Sequence, residues 1–100
     1  MTLRHVVAFR MAAADADDRA AHAAEAARRL NALAGVVPTL RAMSAGANIL
    51  FPGQNWDLVL VADFDDVAGL DAYQVHPAHE HVAAFIGTIR AERVAVDVEI

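Results

Sequence analysis

The chain has 100 residues, a net charge of −5 and 57% hydrophobic residues, of which alanine is by far the commonest. This length forms one domain whose larger apolar side chains suffice for one core, without a metal or disulfide staple. The lack of cysteine excludes a disulfide framework, a thiolate nucleophile and a cysteine-based metal centre, and the lack of lysine excludes Schiff-base chemistry. The acidic balance, with no basic run, argues against nucleic acid as the main partner.

Apolar runs in the sequence are short. None approaches the roughly 20 residues of a membrane helix, and the stretch after Arg4 and His5 is shorter than the apolar part of an export signal. We therefore expect a cytoplasmic protein with no membrane partner. Nothing in the composition calls for a cofactor, and none is predicted.

The first half of the chain predicts a strand followed by a long helix. Residues 3–11 (LRHVVAFRM) carry apolar side chains at both alternating positions, which predicts a strand covered on both faces. Residues 15–34 are rich in alanine, the best helix former, and Asp15 is a suitable N-cap. Gly35 can supply the left-handed residue after this helix, and Pro38 prevents its continuation.

The middle of the chain predicts two strands and a loop. Residues 40–47 are the weaker strand candidate, and residues 57–64 (DLVLVADF) are the stronger one, with aliphatic residues on both faces. The connection, 48–56, contains proline, glycine and asparagine, which are turn residues. Its apolar residues 49–51 are expected to cover another surface. Trp56 is either a pocket lid or a dimer-interface anchor, and we favour the interface.

The last third predicts two helices and a final strand. Asp65 or Asp66 caps a short helix that continues to about position 73. A proline at its first position begins the next helix, over about 77–90. Residues 92–100 (ERVAVDVEI) alternate strictly between apolar and other residues, which predicts a strand.

The predicted element order, β-α-β-β-α-α-β, is typical of a ferredoxin-like α+β domain with a four-stranded antiparallel sheet, here formed by residues 1–100. Helices on one face of such a sheet leave the other face bare. Because the strands 3–11 and 57–64 are apolar on both faces, the bare face would expose a large apolar patch. Sheet-to-sheet homodimerisation is the simplest way to cover it.

The most informative segment is Tyr73-Gln74-Val75-His76-Pro77-Ala78-His79. The chain also opens with Arg4-His5-Val6-Val7 and closes with Val96-Asp97-Val98. In this combination it resembles the Dabb family, the stress-responsive dimeric α/β-barrel domain, over nearly its whole length. The resemblance implies a ferredoxin-like fold and a homodimer in which two sheets form a barrel.

The resemblance also implies a chemistry. Some members of the family are similar to plant polyketide (olivetolic acid) cyclases, which close a linear poly-β-ketone by intramolecular aldol condensation without a cofactor. Carried over to this chain, the resemblance makes Tyr73 and His79 the catalytic acid and base and places His5 in the same pocket. These residue types suit proton transfer at a carbonyl compound. At the start of a helix, the positive helix end favours the neutral form of His79.

Several interpretations stay open from the sequence. The first is a Dabb-type protein that binds a small apolar or aromatic carbonyl ligand and carries out cofactor-free, cyclase-like acid/base chemistry. The alternatives are a non-enzymatic, stress-associated dimeric module and a cofactor-independent monooxygenase of a related barrel family. Tyr73, His79 and His5 can equally be structural side chains, and we interpret His76 as structural. A metal site at His76, His79 and His81 is disfavoured by their spacing.

Overall fold

A computed structural model describes all 100 residues and confirms the predicted element order. The elements are β1 (Leu3–Met11), α1 (Ala16–Asn31), β2 (Ala42–Ala47), β3 (Leu58–Phe64), α2 (Val67–Gln74), α3 (Pro77–Ile89) and β4 (Arg90–Glu99). All strand pairs are antiparallel and the strand order is β2-β3-β1-β4. The fold is therefore the ferredoxin-like α+β fold that the sequence predicts.

Side chains cap each helix at its predicted start. Asp15 accepts a hydrogen bond from the backbone N–H two residues into α1, and Asp66 accepts one from Gly69 in α2. Nδ1 of His76 accepts a hydrogen bond from the backbone N–H of Ala78 at 3.1 Å, which confirms the structural interpretation of His76. No helix of the chain combines the length and the apolar character that crossing a bilayer requires.

Helix α1 ends three residues earlier than predicted, because Asn31 turns toward the sheet. Its side chain accepts a hydrogen bond from the backbone N–H of Ala45 at 2.9 Å and donates one to the carbonyl of the same residue at 3.0 Å. These bonds satisfy backbone groups at the exposed edge of β2. The chain then tightens into turns in which Gly35 takes the predicted left-handed conformation, with φ of 82°.

The helices cover one face of the sheet, and the core lies between them. Strand residues that face the helices are buried, among them Val7, Phe9, Leu60 and Phe64. They pack against Leu30 of α1 and against the buried residues of α2 and α3. Because successive strand residues point to opposite faces, the register fixes which β4 residues share this face. They are Arg93, Ala95, Asp97 and Glu99, opposite Phe9, Val7, His5 and Leu3 of β1.

The other face of the sheet, which we call the valine face, is uncovered in the single chain. It is formed by Val6, Ala8, Val59, Val61, Val94, Val96 and Val98, and Val96 is 57% exposed. The expectation that the strands are covered on both faces is therefore not met within one chain. Residues 49–51 are also exposed, so the expectation that they cover another surface is wrong for the isolated chain.

Candidate functional site

A cavity of about 230 Å³ lies between the helix-covered face of the sheet and the helices α2 and α3. Its lining residues are His5, Val7, Phe9, Leu30, Leu60, Tyr73, Gln74, His79, Ala83, Ile86, Arg90 and Arg93. The three residues singled out from the sequence, His5, Tyr73 and His79, thus line one cavity. They come from β1, the last turn of α2 and the first turn of α3, so the turn between α2 and α3 brings Tyr73 to His79.

Tyr73 is buried, at 1% exposure, and its hydroxyl has no hydrogen-bond partner in the protein. Its ring packs against Phe64, with the centroids 5.1 Å apart. Burial raises the pKa of Tyr73 to about 12, because a phenolate is poorly solvated there. The side chain is therefore protonated at physiological pH and its hydroxyl is available as a hydrogen-bond donor.

The His79 ring lies against that of Tyr73, with the centroids 4.3 Å apart. Its Nδ1 lies 3.0 Å from the carbonyl oxygen of Gln74. Because a carbonyl only accepts, Nδ1 carries the hydrogen and Nε2 keeps a free lone pair in the neutral ring. Burial lowers the pKa of His79, although the bond to Gln74 opposes the change. His79 is therefore a neutral base at pH 7.

His5 lies on the cavity floor and is buried, at 4% exposure. Its Nδ1 is 2.5 Å from Oδ1 of Asp97, the residue directly opposite it in the β1–β4 register. An ionised carboxylate only accepts hydrogen bonds, so Nδ1 donates to Asp97 and the lone pair of the ring belongs to Nε2. Asp97 is not among the site residues predicted from the sequence, because the strand register cannot be read from the sequence.

Two arginines in the lining, Arg90 and Arg93, were also missed. Arg93 lies opposite Phe9 and shares the helix-facing side of β4 with Asp97. Arg90 lies at the start of β4, where the register with β1 shifts. The lining contains no aspartate or glutamate. The only available indication in the sequence was the i, i+4 spacing of Arg93 and Asp97 on an alternating strand, which has meaning only once the partner strand is known.

The structure does not support a metal site at the histidines of the motif. His76 uses its ring to cap α3, His79 lines the cavity, and His81 is on the exposed side of α3. No group of three or more histidine, aspartate and glutamate side chains converges on a common point. Trp56 does not line the cavity either; the guanidinium of Arg10 lies 5.1 Å from its ring centre. Trp56 instead lines a separate surface pocket beside Leu58 and Val59, and its place in a dimer interface stays a prediction.

Comparison with known proteins agrees with the geometry. Residues 3–100 match the model of the stress responsive A/B barrel domain, Dabb. No curated protein matches the chain in sequence.

Three solved structures illustrate the structural similarity. A dimeric ferredoxin-like protein of unknown function from Thermobifida fusca is 32% identical, with a TM-score of 0.82, and the match covers 100% of this chain and 92% of that one. A dimeric protein of unknown function from Bacteroides fragilis has a TM-score of 0.88 at 22% identity and 99% and 96% coverage. The hydroxynitrile lyase of Passiflora edulis has a TM-score of 0.77 at 15% identity and 99% and 93% coverage. The chain is a member of the stress-responsive A/B barrel domain family, with a ferredoxin-like fold.

Proposed function

We propose that the protein is a homodimeric, cofactor-free enzyme that binds a small apolar or aromatic carbonyl compound and catalyses its cyclase-like aldol reaction. One observation carries the proposal: Tyr73, whose buried hydroxyl has no partner, packs its ring against the neutral ring of His79 in the lining of one cavity. A buried hydroxyl without a partner is unfavourable, so it is expected to meet a ligand acceptor. The proposal includes a cytoplasmic location, with which the lack of cysteine is compatible.

The side chains supply both halves of an aldol step. Nε2 of His79 takes a proton from a carbon between two carbonyls, and the C–H electron pair becomes the enolate. The enolate carbon attacks a second carbonyl carbon of the same molecule, so that a C–C bond forms and the carbonyl oxygen becomes an alkoxide. Tyr73 stabilises this oxygen by a hydrogen bond, and the proton held by His79 returns to it. No electron leaves the substrate, so no redox cofactor is needed.

His5 and Asp97 supply a second, oriented polar group from the sheet, which faces the helices that carry Tyr73 and His79. Asp97 fixes the tautomer of His5 in which Nε2 accepts, as a carboxylate does for the histidine of a hydrolase triad. In the proposed reaction, His5 orients the substrate through the enol form of its 1,3-dicarbonyl unit. Asp97 is a positioning residue, since it acts through His5.

The homodimer in the proposal uses the valine face. Two of the structural relatives are described as dimeric. On the valine face the charged side chains are already paired: Arg4 makes two bonds to Asp63, at 2.9 and 3.0 Å, and Arg10 lies 3.8 Å from Glu92. Covering this face with a second copy therefore buries exposed valines without isolating a charge.

The proposal is tested by ligand binding and turnover together. We would titrate the histidine rings by NMR with β-diketones, 3,5-dioxo acids and aromatic ketones, and follow reaction products and oxygen consumption with each. Joint shifts of His5 and His79, followed by a cyclised product without oxygen uptake, are expected. Binding without product would favour the non-enzymatic module, and oxygen uptake would favour the monooxygenase. Either of these results would contradict the proposed reaction.

The pH dependence of kcat/KM should have an acidic limb and no alkaline limb below pH 10. His79 acts in its neutral form, and its pKa is lowered by burial, so activity should be lost only as the pH falls below the ordinary histidine value of 6.5. Tyr73 stays protonated because its pKa is raised to about 12. The check is a rate profile beside an NMR titration of the His79 ring. If the midpoint of the acidic limb differs from the pKa measured for the His79 ring, the loss of activity at low pH is caused by the protonation of another group.

Asp97→Asn should lower kcat by at least about tenfold, because an amide can donate to His5 Nδ1 and so stabilise the wrong tautomer. The check that separates this role from a structural one is the nitrogen chemical shift of the His5 ring, which reports its tautomer. Asp97→Glu should partly restore both the shift and the rate. Glu99→Gln is the matched control, since it removes a carboxylate from the same side of the same strand. An unchanged His5 tautomer in Asp97→Asn would overturn the assignment.

A further inference from the structure

The charges around the cavity point to the chemistry of its ligand. Six of the eight arginines pair with a carboxylate of the protein: Arg4 with Asp63, Arg10 with Glu92, Arg19 with Asp57, Arg28 and Arg29 with Glu25, and Arg41 with Asp65. The two without such a partner, Arg90 and Arg93, both line the cavity. In a chain with a net charge of −5, the lining thus includes two arginines and no acidic residue.

We infer that the cavity takes carbonyl compounds that also carry a carboxylate, and that Arg90 and Arg93 bind this carboxylate. A guanidinium offers two parallel N–H donors that match the two oxygens of a carboxylate. The position of the carbonyl beside Tyr73 and His79 rests on the proposed function, whereas the anion site rests on the arginines alone. The inference narrows the substrate class from carbonyl compounds in general to keto acids.

The positions of the two arginines are consistent with a cavity that binds the carboxylate and the carbonyl at separate places. Arg93 is four residues from Asp97 along β4, which separates their backbones by about 13 Å. His5, His79 and Arg93 line the same cavity, and the register places His5 opposite Asp97 and Arg93 opposite Phe9. A ligand anchored at Arg93 can therefore reach the Tyr73–His79 pair without leaving the cavity.

The size of the cavity limits its ligand to a small molecule. At about 230 Å³ it is smaller than the pockets of roughly 300–1,000 Å³ that hold drug-sized ligands. A small keto acid fits this volume, whereas a nucleotide-bearing coenzyme does not. A small phosphate ester would pair with the same arginines, so the experiment includes a phosphate probe.

The test compares three probes that share one aromatic ketone: 4-acetylbenzoate, its uncharged methyl ester and 4-acetylphenyl phosphate. None of them can cyclise, so binding is measured apart from turnover. Histidine-ring NMR titrations should give a Kd for the acid about tenfold to a hundredfold below that of the ester, as a charge-assisted hydrogen bond provides. Arg93→Gln and Arg90→Gln should remove most of this advantage and leave the Kd of the ester unchanged. Arg28→Gln, which removes the same charge from the exposed side of α1, should leave both unchanged.

Three binding results would decide against the inferred carboxylate site. Equal binding of the acid and the ester, or no binding of the acid at millimolar concentration, would overturn it. Tighter binding of the phosphate than of the acid would reassign the arginines to a phosphate. The proposed function can fail separately. If keto acids bind through Arg93 but none is turned over, the inferred anion site is retained and the proposed enzymatic activity is rejected.

Discussion

Tyr73→Phe is expected to lower turnover by about 10²–10³-fold and to leave the protein at least as stable as the wild type. Losing one donor to a developing oxyanion has an effect of this size. The stability expected of the variant follows from the buried Tyr73 hydroxyl, which has no partner in the protein. Removing this hydroxyl therefore leaves no other group unsatisfied. The ring remains to pack against Phe64 and His79. Steady-state kinetics and thermal unfolding measure the two effects on the same sample.

The control for Tyr73→Phe is Thr88→Val, which removes a hydroxyl from α3 that bonds the carbonyl of Phe85 outside the cavity. It should leave turnover unchanged. Two results would contradict the role of Tyr73. A clear fall in melting temperature for Tyr73→Phe would mean that the hydroxyl is a structural group, and undiminished turnover would mean that the oxyanion is stabilised elsewhere.

The element order could be read from the sequence because it depends on local chemistry, whereas the three candidate site residues were implied by the resemblance to a family. Asp15 and Asp66 cap their helices, and Pro77 begins α3. The short separation between Tyr73 and His79 makes their contact nearly independent of the rest of the fold. The end of α1 was less predictable, because it depends on hydrogen bonds from Asn31 to a strand that lies later in the chain.

The rest of the site depends on strand register, which the sequence does not specify. The alternation in β4 separates its valines from Arg93 and Asp97 but does not tell which set meets the helices. The simplest rule, apolar side chains inward, would have given the wrong answer. In the structure Asp97 and Arg93 share the helix-facing side, where Asp97 meets His5 and Arg93 lines the cavity, while the valines are exposed on the other face.

Strand β4 thus has two roles in the proposed homodimer. Its helix-facing side supplies Asp97 and Arg93 to the site, and its other side contributes Val94, Val96 and Val98 to the valine face. It is an edge strand of the isolated chain and is exposed along its whole length. Packing of a second copy on its valines would therefore also hold the site residues on its other side in place. Assembly and ligand binding are expected to be coupled through this strand.

Val96→Asp is accordingly expected to convert a dimer into a monomer. Light scattering at micromolar concentration should give twice the 10.7 kDa chain mass for the wild type and the single-chain mass for the variant. Two Val96 side chains leave the interface and two carboxylates would have to be buried without partners. Because each of these changes costs about 1.5–3 kcal/mol or more, the dimer Kd should rise by at least about 10³-fold.

The matched control for Val96→Asp is Val67→Asp, at the first position of α2. Val67 is 62% exposed but lies on the helix side of the molecule, so this variant should remain dimeric. Monomeric Val96→Asp should also bind 4-acetylbenzoate less tightly than the wild type, since β4 then lacks cover on its outer side. A wild-type chain that scatters as a monomer would remove the valine face as an interface. A monomeric variant with undiminished ligand affinity would show instead that β4 holds Asp97 and Arg93 in place without the second copy.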